Sequence, residues 1–187
     1  MYIHTPVQKQ AHHQKRRQSI MYSFTIRTAQ AADIPELVRL RLAYFDEEFG
    51  ELPEQTVRQI SDQLPEYFRS HLGRDCVVYA AELPDGTFAG CAILTIQEKP
   101  ANPFFPTGRY GYILGVYVMP EYRGARAGTW LMKMLLIDAK RRDLDYVSLS
   151  ASDMGLGLYA RLGFRPIRSR FTEMEYVLRD GAGHEQI

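Results

Sequence analysis

Cysteine is scarce in this sequence: Cys76 and Cys91 are its only two. They stand in segments that read as separate strands, too few to build the disulfide framework that staples small secreted domains. The expectation is two buried free thiols in a reducing, cytoplasmic setting. Net charge is nearly absent as well, since 23 Lys and Arg against 22 Asp and Glu leave +1. No global field gathers nucleic acid or an anionic membrane, so neither is expected as a partner. Long apolar runs are missing, none approaching the roughly 20 residues that cross a bilayer. A Walker loop, an H-E-x-x-H helix and a C-x-x-C pair are all lacking, and nothing in the chain requires a metal. His12 and His13 are adjacent, a spacing that does not put two ligands on one face. The first twenty residues contain Lys9, Lys15, Arg16 and Arg17 but no acid and no apolar stretch able to serve as a secretory h-region. Residues 1–22 are expected to be a disordered basic tail, with Met21 a second candidate start, and residues 181–187 a flexible C-terminus.

What remains is patterned. A chain of 187 residues with 45% hydrophobic content suits one domain with a substantial core, here over residues 23–180. Residues 23–28 alternate apolar and polar, a strand signature. Asp33 precedes Ile34, Leu37, Val38, Tyr44 and Phe45, whose near-helical spacing predicts a helix with Asp33 as N-cap and Pro35 in its first turn. Val57, Ile60, Leu64, Tyr67 and Phe68 make one apolar face of a second helix over 54–71, with Pro65 inside it. Residues 76–82 and 87–98 flank Pro84-Asp85-Gly86 and read as a hairpin. The Pro- and Phe-rich stretch 100–108 is a long loop. A strand at 109–119, a helix at 128–142, a strand at 145–151, a short helix at 154–162 and a strand at 171–178 complete the order. The expectation is a mixed α/β fold, one central sheet with helices covering both faces.

The segment Val116-Tyr117-Val118-Met119-Pro120-Glu121-Tyr122-Arg123-Gly124-Ala125-Arg126-Ala127-Gly128-Thr129 holds the most chemistry. An apolar strand runs through an Arg- and Gly-rich turn into a helix. Several backbone N–H groups then aim at one point, where the helix dipole favours an anion. Arg123 and Arg126 add charge suited to phosphate oxygens. On its own the pattern also fits a plain strand-to-helix connection with solvated arginines.

Arg123-Gly124-Ala125-Arg126-Ala127-Gly128 resembles the pyrophosphate-binding loop of the GNAT superfamily of N-acetyltransferases. That loop reads Arg or Gln, two residues, Gly, one residue, then Gly or Ala. Arg126 takes the place of the middle glycine. A left-handed Arg costs about 1–2 kcal/mol, so the expectation is an ordinary negative φ there. Leu158-Tyr159-Ala160-Arg161-Leu162-Gly163-Phe164 resembles the second signature of the same superfamily, a Leu-Tyr pair followed by Leu-Gly-Phe. The element order from Phe24 to Leu178 is similar to a GNAT domain as well.

The resemblance implies acetyl-CoA as cosubstrate, held where two parallel strands, 109–119 and 145–151, splay into a V. It implies backbone contacts from Val116, Tyr117 and Val118 to the pantetheine arm, in the manner of an added strand. Phosphate contacts follow for Arg123, Gly124, Ala125, Arg126, Ala127, Gly128 and Thr129. Ser152 joins the cofactor-binding set, and Tyr159 stands near the thioester sulfur as candidate acid. A phenol of pKa about 10 protonates a thiolate of pKa about 8.5 only uphill by about 2 kcal/mol, so Tyr159 assists rather than decides. The amine makes the larger demand, since an alkylammonium of pKa about 10.4 needs about 4.6 kcal/mol to lose its proton at pH 7. Glu98, at a strand end beside the long loop, is the candidate base, with Tyr110 and Tyr112 as relays. Its other reading is a solvated strand-end carboxylate.

Gly155-Leu156-Gly157-Leu158-Tyr159-Ala160 fits the dinucleotide pattern G-x-G-x-x-G/A, yet too little chain follows Ala160 to complete a nucleotide-binding half. The function expected is acetyl transfer to a primary amine of a small molecule by direct attack. The alternative is a GNAT-like domain that binds acyl-CoA or a partner without catalysis, and a homodimer is left open. The acid-rich connection 46–54 is either a lure for a cationic amine or a solvated helix end.

Overall fold

The computed structural model describes residues 23–169 together with 171, 172, 174, 176 and 178. The tail 1–22 and the C-terminus 181–187 lie outside the described residues. Two compact units make up the chain, Met1–Ser150 and Ala151–Ile187. The first contains Thr25–Thr28 (β1), Ile34–Phe49 (α1), Glu54–His71 (α2), Cys76–Glu82 (β2), Phe88–Glu98 (β3), Arg109–Val118 (β4), Ala127–Arg141 (α3) and Val147–Leu149 (β5). The second contains Asp153–Arg161 (α4). Residues 173, 175 and 177 of the predicted strand 171–178 are also outside the described set, so the sheet of the described residues ends at β5.

The strands lie in the order β1-β2-β3-β4-β5, antiparallel throughout except for the parallel β4–β5 pair. The β2–β3 hairpin closes as its turn residues dictate. Asp85 accepts from the backbone N–H and the hydroxyl of Thr87 at 3.0 and 2.7 Å, and Gly86 supplies φ 87°. Alternation along β2 and β3 divides the core between the two faces of the sheet. On one face Val78, Ala80, Cys91 and Ile93 join Leu37 and Leu40 of α1 and Leu64 and Phe68 of α2 in a single cluster. On the other lies α3, whose fully buried Leu131, Met132 and Leu135 belong to no part of that cluster although the helix packs on β2, β3 and β4. Each such buried Leu or Phe stabilises the fold by about 1.5–3 kcal/mol relative to exposure.

Asp33 departs from its predicted role. It stands at the N-terminus of α1, but no hydrogen bond runs from the helix to its side chain. The carboxylate instead accepts from the Gln30 N–H at 2.7 Å and pairs with Arg27 at 2.7 Å, while Arg27 also reaches Glu82 at 2.8 Å. A two-carboxylate clamp on a guanidinium outcompetes a single capping bond. The Arg27 hydrogen bond, ahead of the Gln30 N–H, holds the Asp33 carboxyl below the usual range.

Candidate active site

The local structure of β4 changes partway along. From Gly111 to Ile113 it pairs with Val147–Leu149, the whole of β5, which is shorter than the predicted 145–151. At that point the register with β3 jumps from Leu94↔Ile113 to Ile93↔Gly115, leaving Leu114 as a bulge. The bulge reverses which peptide groups face outward. Before it, the Gly111 N–H points to the β5 side and bonds the Tyr146 carbonyl at 2.9 Å. Beyond it, the Met119 N–H bonds Ala89 on the β3 side at 2.9 Å. Counting back by twos, Tyr117 and Gly115 are bonded to β3, whereas Val116 and Val118 turn their N–H and C=O groups into the opening past the end of β5. This is the V-shaped splay expected between the two parallel strands.

Tyr117 therefore contributes its side chain to that edge rather than its peptide groups. Its hydroxyl donates to Glu47 of α1 at 3.2 Å, and its ring meets Tyr44 edge-on at 5.9 Å. Arg123 closes the end of the opening. Its Nε donates to the Val118 carbonyl at 2.9 Å and its Nη2 pairs with Glu47 at 2.6 Å. The bond to Arg123 is the main reason the Glu47 carboxyl lies below its ordinary range.

The turn that follows corrects the expectation for Arg126, which has φ 64° and ψ 12°, a left-handed residue at the N-cap of α3. The backbone must reverse there to enter the helix, and the nearby Gly124, at φ 84°, is left-handed too. The sequence argument weighed the local steric penalty alone. The helix continuing through buried Ala127 and Leu131 outweighs it. The first intrahelical bond runs from the Trp130 N–H to the Arg126 carbonyl at 3.1 Å. The N–H groups of Ala127, Gly128 and Thr129 thus have no acceptor within the helix and point out of its N-terminus.

Glu98 stands at the other end of the sheet. It is paired across the strands with Arg109, at 3.4 Å, and is 76% exposed. That places it roughly 16 Å along β4 from the bulge, at about 3.3 Å per residue. The structure does not bring it to the splay. Tyr110 donates to Gln97 and stacks on Tyr146, away from the splay as well. Tyr112 pairs with Ser150, 3.2 Å between the oxygens.

A cavity of about 550 Å³ opens on the α1/α2 face beside the bulge, with Arg41, Tyr67, His71, Asp75, Tyr112 and Leu114 in its wall. Sequence reasoning passed over Arg41 and the His71–Asp75 pair, whose Nδ1 and Oδ1 lie 2.8 Å apart. A signal for Arg41 existed: it follows Leu37 by one helical turn, a basic residue inside an apolar stripe. The acids of the 46–54 connection are exposed and none lines this cavity; one of them, Glu47, is the partner of Arg123 and Tyr117.

In the second unit, Ser152 caps α4, its hydroxyl accepting from the Gly155 N–H at 3.3 Å. Tyr159 is buried, its ring edge-on to Phe164 at 5.9 Å. A Cβ on Gly155 would come within 2.8 Å of that ring, so this glycine makes room for the tyrosine. Gly155 and Gly157 both lie inside the helix, which removes the dinucleotide-loop reading of their spacing.

Residues 34–164 match the model of the acetyltransferase (GNAT) family. Glucosamine 6-phosphate N-acetyltransferase of Trypanosoma brucei brucei is 39% identical over 83 residues, a match covering 44% of this chain and 54% of that protein. The match thus spans about half the length of this curated relative. A predicted acetyltransferase with acetyl-CoA from Clostridium acetobutylicum superposes with a TM-score of 0.71 at 28% identity, over 82% of this chain and 96% of its own. A GCN5-related N-acetyltransferase from Ralstonia eutropha JMP134 gives 0.68 at 25% identity, over 81% and 99%. With its family match running from the start of α1 past the end of α4, and with a sheet that parts between β4 and β5, the chain belongs to the GNAT family of acetyltransferases.

Proposed function

We propose that this protein transfers the acetyl group of acetyl-CoA to a primary amine of a small molecule by direct attack. The observation that carries the reading is the bulged end of β4. It turns the peptide groups of Val116 and Val118 into the splay and leads to the N-terminus of α3. Val116 and Val118 are the groups to pair with the amides of the pantetheine arm, and the N–H groups of Ala127, Gly128 and Thr129 receive the pyrophosphate. Arg123 adds charge there by exchanging Glu47 for a phosphate oxygen.

Acetyl-CoA supplies an activated thioester. The amine nitrogen bonds its carbonyl carbon as the carbon–sulfur bond breaks, the departing thiolate takes a proton, and the amine gives one up to solvent. Tyr159 is the proposed donor to the thiolate. Burial pushes the Cys76 thiol up to about 11 and that of Cys91 to about 12. Neither is a thiolate at neutral pH, which supports transfer without an acyl-cysteine intermediate. The curated relative, named for an amino-sugar phosphate, supports a small-molecule acceptor. The proposed setting is the cytoplasm, without nucleic acid or membrane as partner.

The test is release of free CoA thiol from acetyl-CoA across a panel of amines, together with calorimetric CoA binding. Arg123→Ala combined with Gly128→Asp removes a phosphate-pairing charge and puts a carboxylate at the helix N-terminus. CoA affinity should fall by about tenfold or more. An unchanged affinity in the folded variant would mean that the loop is not the cofactor site. CoA binding without thiol release for any amine would favour a non-catalytic acyl-CoA binder.

A further inference from the structure

The wall of the 550 Å³ cavity contains a cation that has no anionic partner among the described residues. Arg41 leaves α1 among buried Leu37 and Leu40 and lays its guanidinium over the rings of Phe45 and Tyr44, at 4.5 and 5.2 Å from their centres. It presses against β4 just past the bulge, where a Cβ on Gly115 would lie 3.1 Å from its Nη1. Arg27, Arg39, Arg109, Arg123 and Arg142 each pair with a carboxylate, but among the described residues none pairs with Arg41. Desolvation works against its charge. Contact with two aromatic faces offsets part of that penalty, and a carboxylate or phosphate would offset more.

The carboxylate in the rest of the wall is already paired. Asp75 is the one carboxylate among the lining residues, and it is engaged by His71 at 2.8 Å and by Arg74 at 3.6 Å. Gln63 and Gln97 supply neutral hydrogen-bonding groups, and Ile60, Leu64 and Leu114 supply apolar surface. Such a wall disfavours a polyamine and suits a small molecule with one acidic group. The guanidinium fork is shaped for two parallel bonds to phosphate or carboxylate oxygens.

We infer that the acceptor amine carries an anionic group, a phosphate or a carboxylate, and that Arg41 binds it in this cavity while the amine faces the bulge of β4. The inference rests on the acetyl-transfer reading and adds to it the charge of the acceptor. In the wild type, kcat/KM is compared for glucosamine 6-phosphate against glucosamine, for alanine against alaninamide, and for spermidine. The anionic member of at least one pair should win by about tenfold or more, and which pair responds separates phosphate from carboxylate. In Arg41→Gln that preference should fall to within about threefold of unity, and Arg41→Lys should keep part of it. Preference for spermidine or for the uncharged members overturns the inference, as does a preference unchanged in Arg41→Gln.

If the variant does not fold, or no acceptor tested is turned over, calorimetry on CoA-saturated wild-type protein decides. Inorganic phosphate or acetate should bind once the pyrophosphate site is filled, and binding of neither overturns the proposal. Failure to bind CoA at all would instead remove the acetyl-transfer reading, and this inference with it.

Discussion

Arg126 holds φ 64° at a position where the resembling loops carry glycine. A left-handed non-glycine residue costs about 1–2 kcal/mol. Glycine removes that strain while adding unfolded-state entropy worth about 0.4–1 kcal/mol. Arg126→Gly should therefore stabilise the fold by about 0.5–1 kcal/mol, a rise of roughly 1–4 °C in melting temperature. Calorimetric melting checks this, and a lower Tm would mean that the Arg126 side chain stabilises the turn by more than the strain it imposes. Tyr159 makes a kinetic demand. Phe keeps the ring against Phe164 and removes the hydroxyl. If that hydroxyl protonates the leaving thiolate, kcat for Tyr159→Phe should fall by about 100-fold with acetyl-CoA affinity nearly unchanged. A rate within twofold of wild type, measured on folded protein, would leave the tyrosine as core and the acid unassigned.

Among the elements, β4 bears the pantetheine-binding edge of the proposed cofactor site, and its position depends on close contact with β3. Gly90 faces Val118 across the ladder, and a Cβ there would lie 2.4 Å from the Tyr117 carbonyl oxygen and 2.9 Å from the Val118 Cα. Backbone atoms cannot swing aside as a side chain would, so Gly90→Ala must displace the end of β4. The expected outcome is a loss of about 1–3 kcal/mol in stability. CoA binding should also weaken, because Val116 and Val118 would shift with the strand. Urea denaturation and CoA titration read the two effects separately. Undiminished CoA affinity in a destabilised Gly90→Ala protein would argue against backbone recognition along this edge.

At the scale of the molecule, the sheet buries both thiols, Cys76 in β2 and Cys91 in β3, with 0% and 4% exposure. A thiol reagent at pH 7 should label neither in the folded protein and both on unfolding, so labelling rate becomes a readout of global opening. Rapid labelling of Cys91 under native conditions would mean that the sheet opens locally at β3. Much of this architecture was legible in the sequence. Hydrophobic period and turn residues placed α2, the β2–β3 hairpin and α3 to within a residue or so, because those signals are local. The two motifs around Arg123 and Tyr159 identified the family for the same reason. Long-range competition stayed hidden: the Asp33 carboxylate goes to Arg27 rather than to its helix, and Arg126 turns left-handed because the helix beyond it is anchored in the core. The bulge at Leu114 was equally invisible, since a bulge is a relation between two strands, and it selects Val116 and Val118 rather than Tyr117 to face the splay. Sequence by itself determined most of the elements, the family and the loop proposed to receive an anion. Only the tertiary structure put Glu98 beside Arg109, far from the splay, and Arg41 in a cavity wall whose carboxylate, Asp75, is held by other groups, because charge pairing depends on which side chains meet in space.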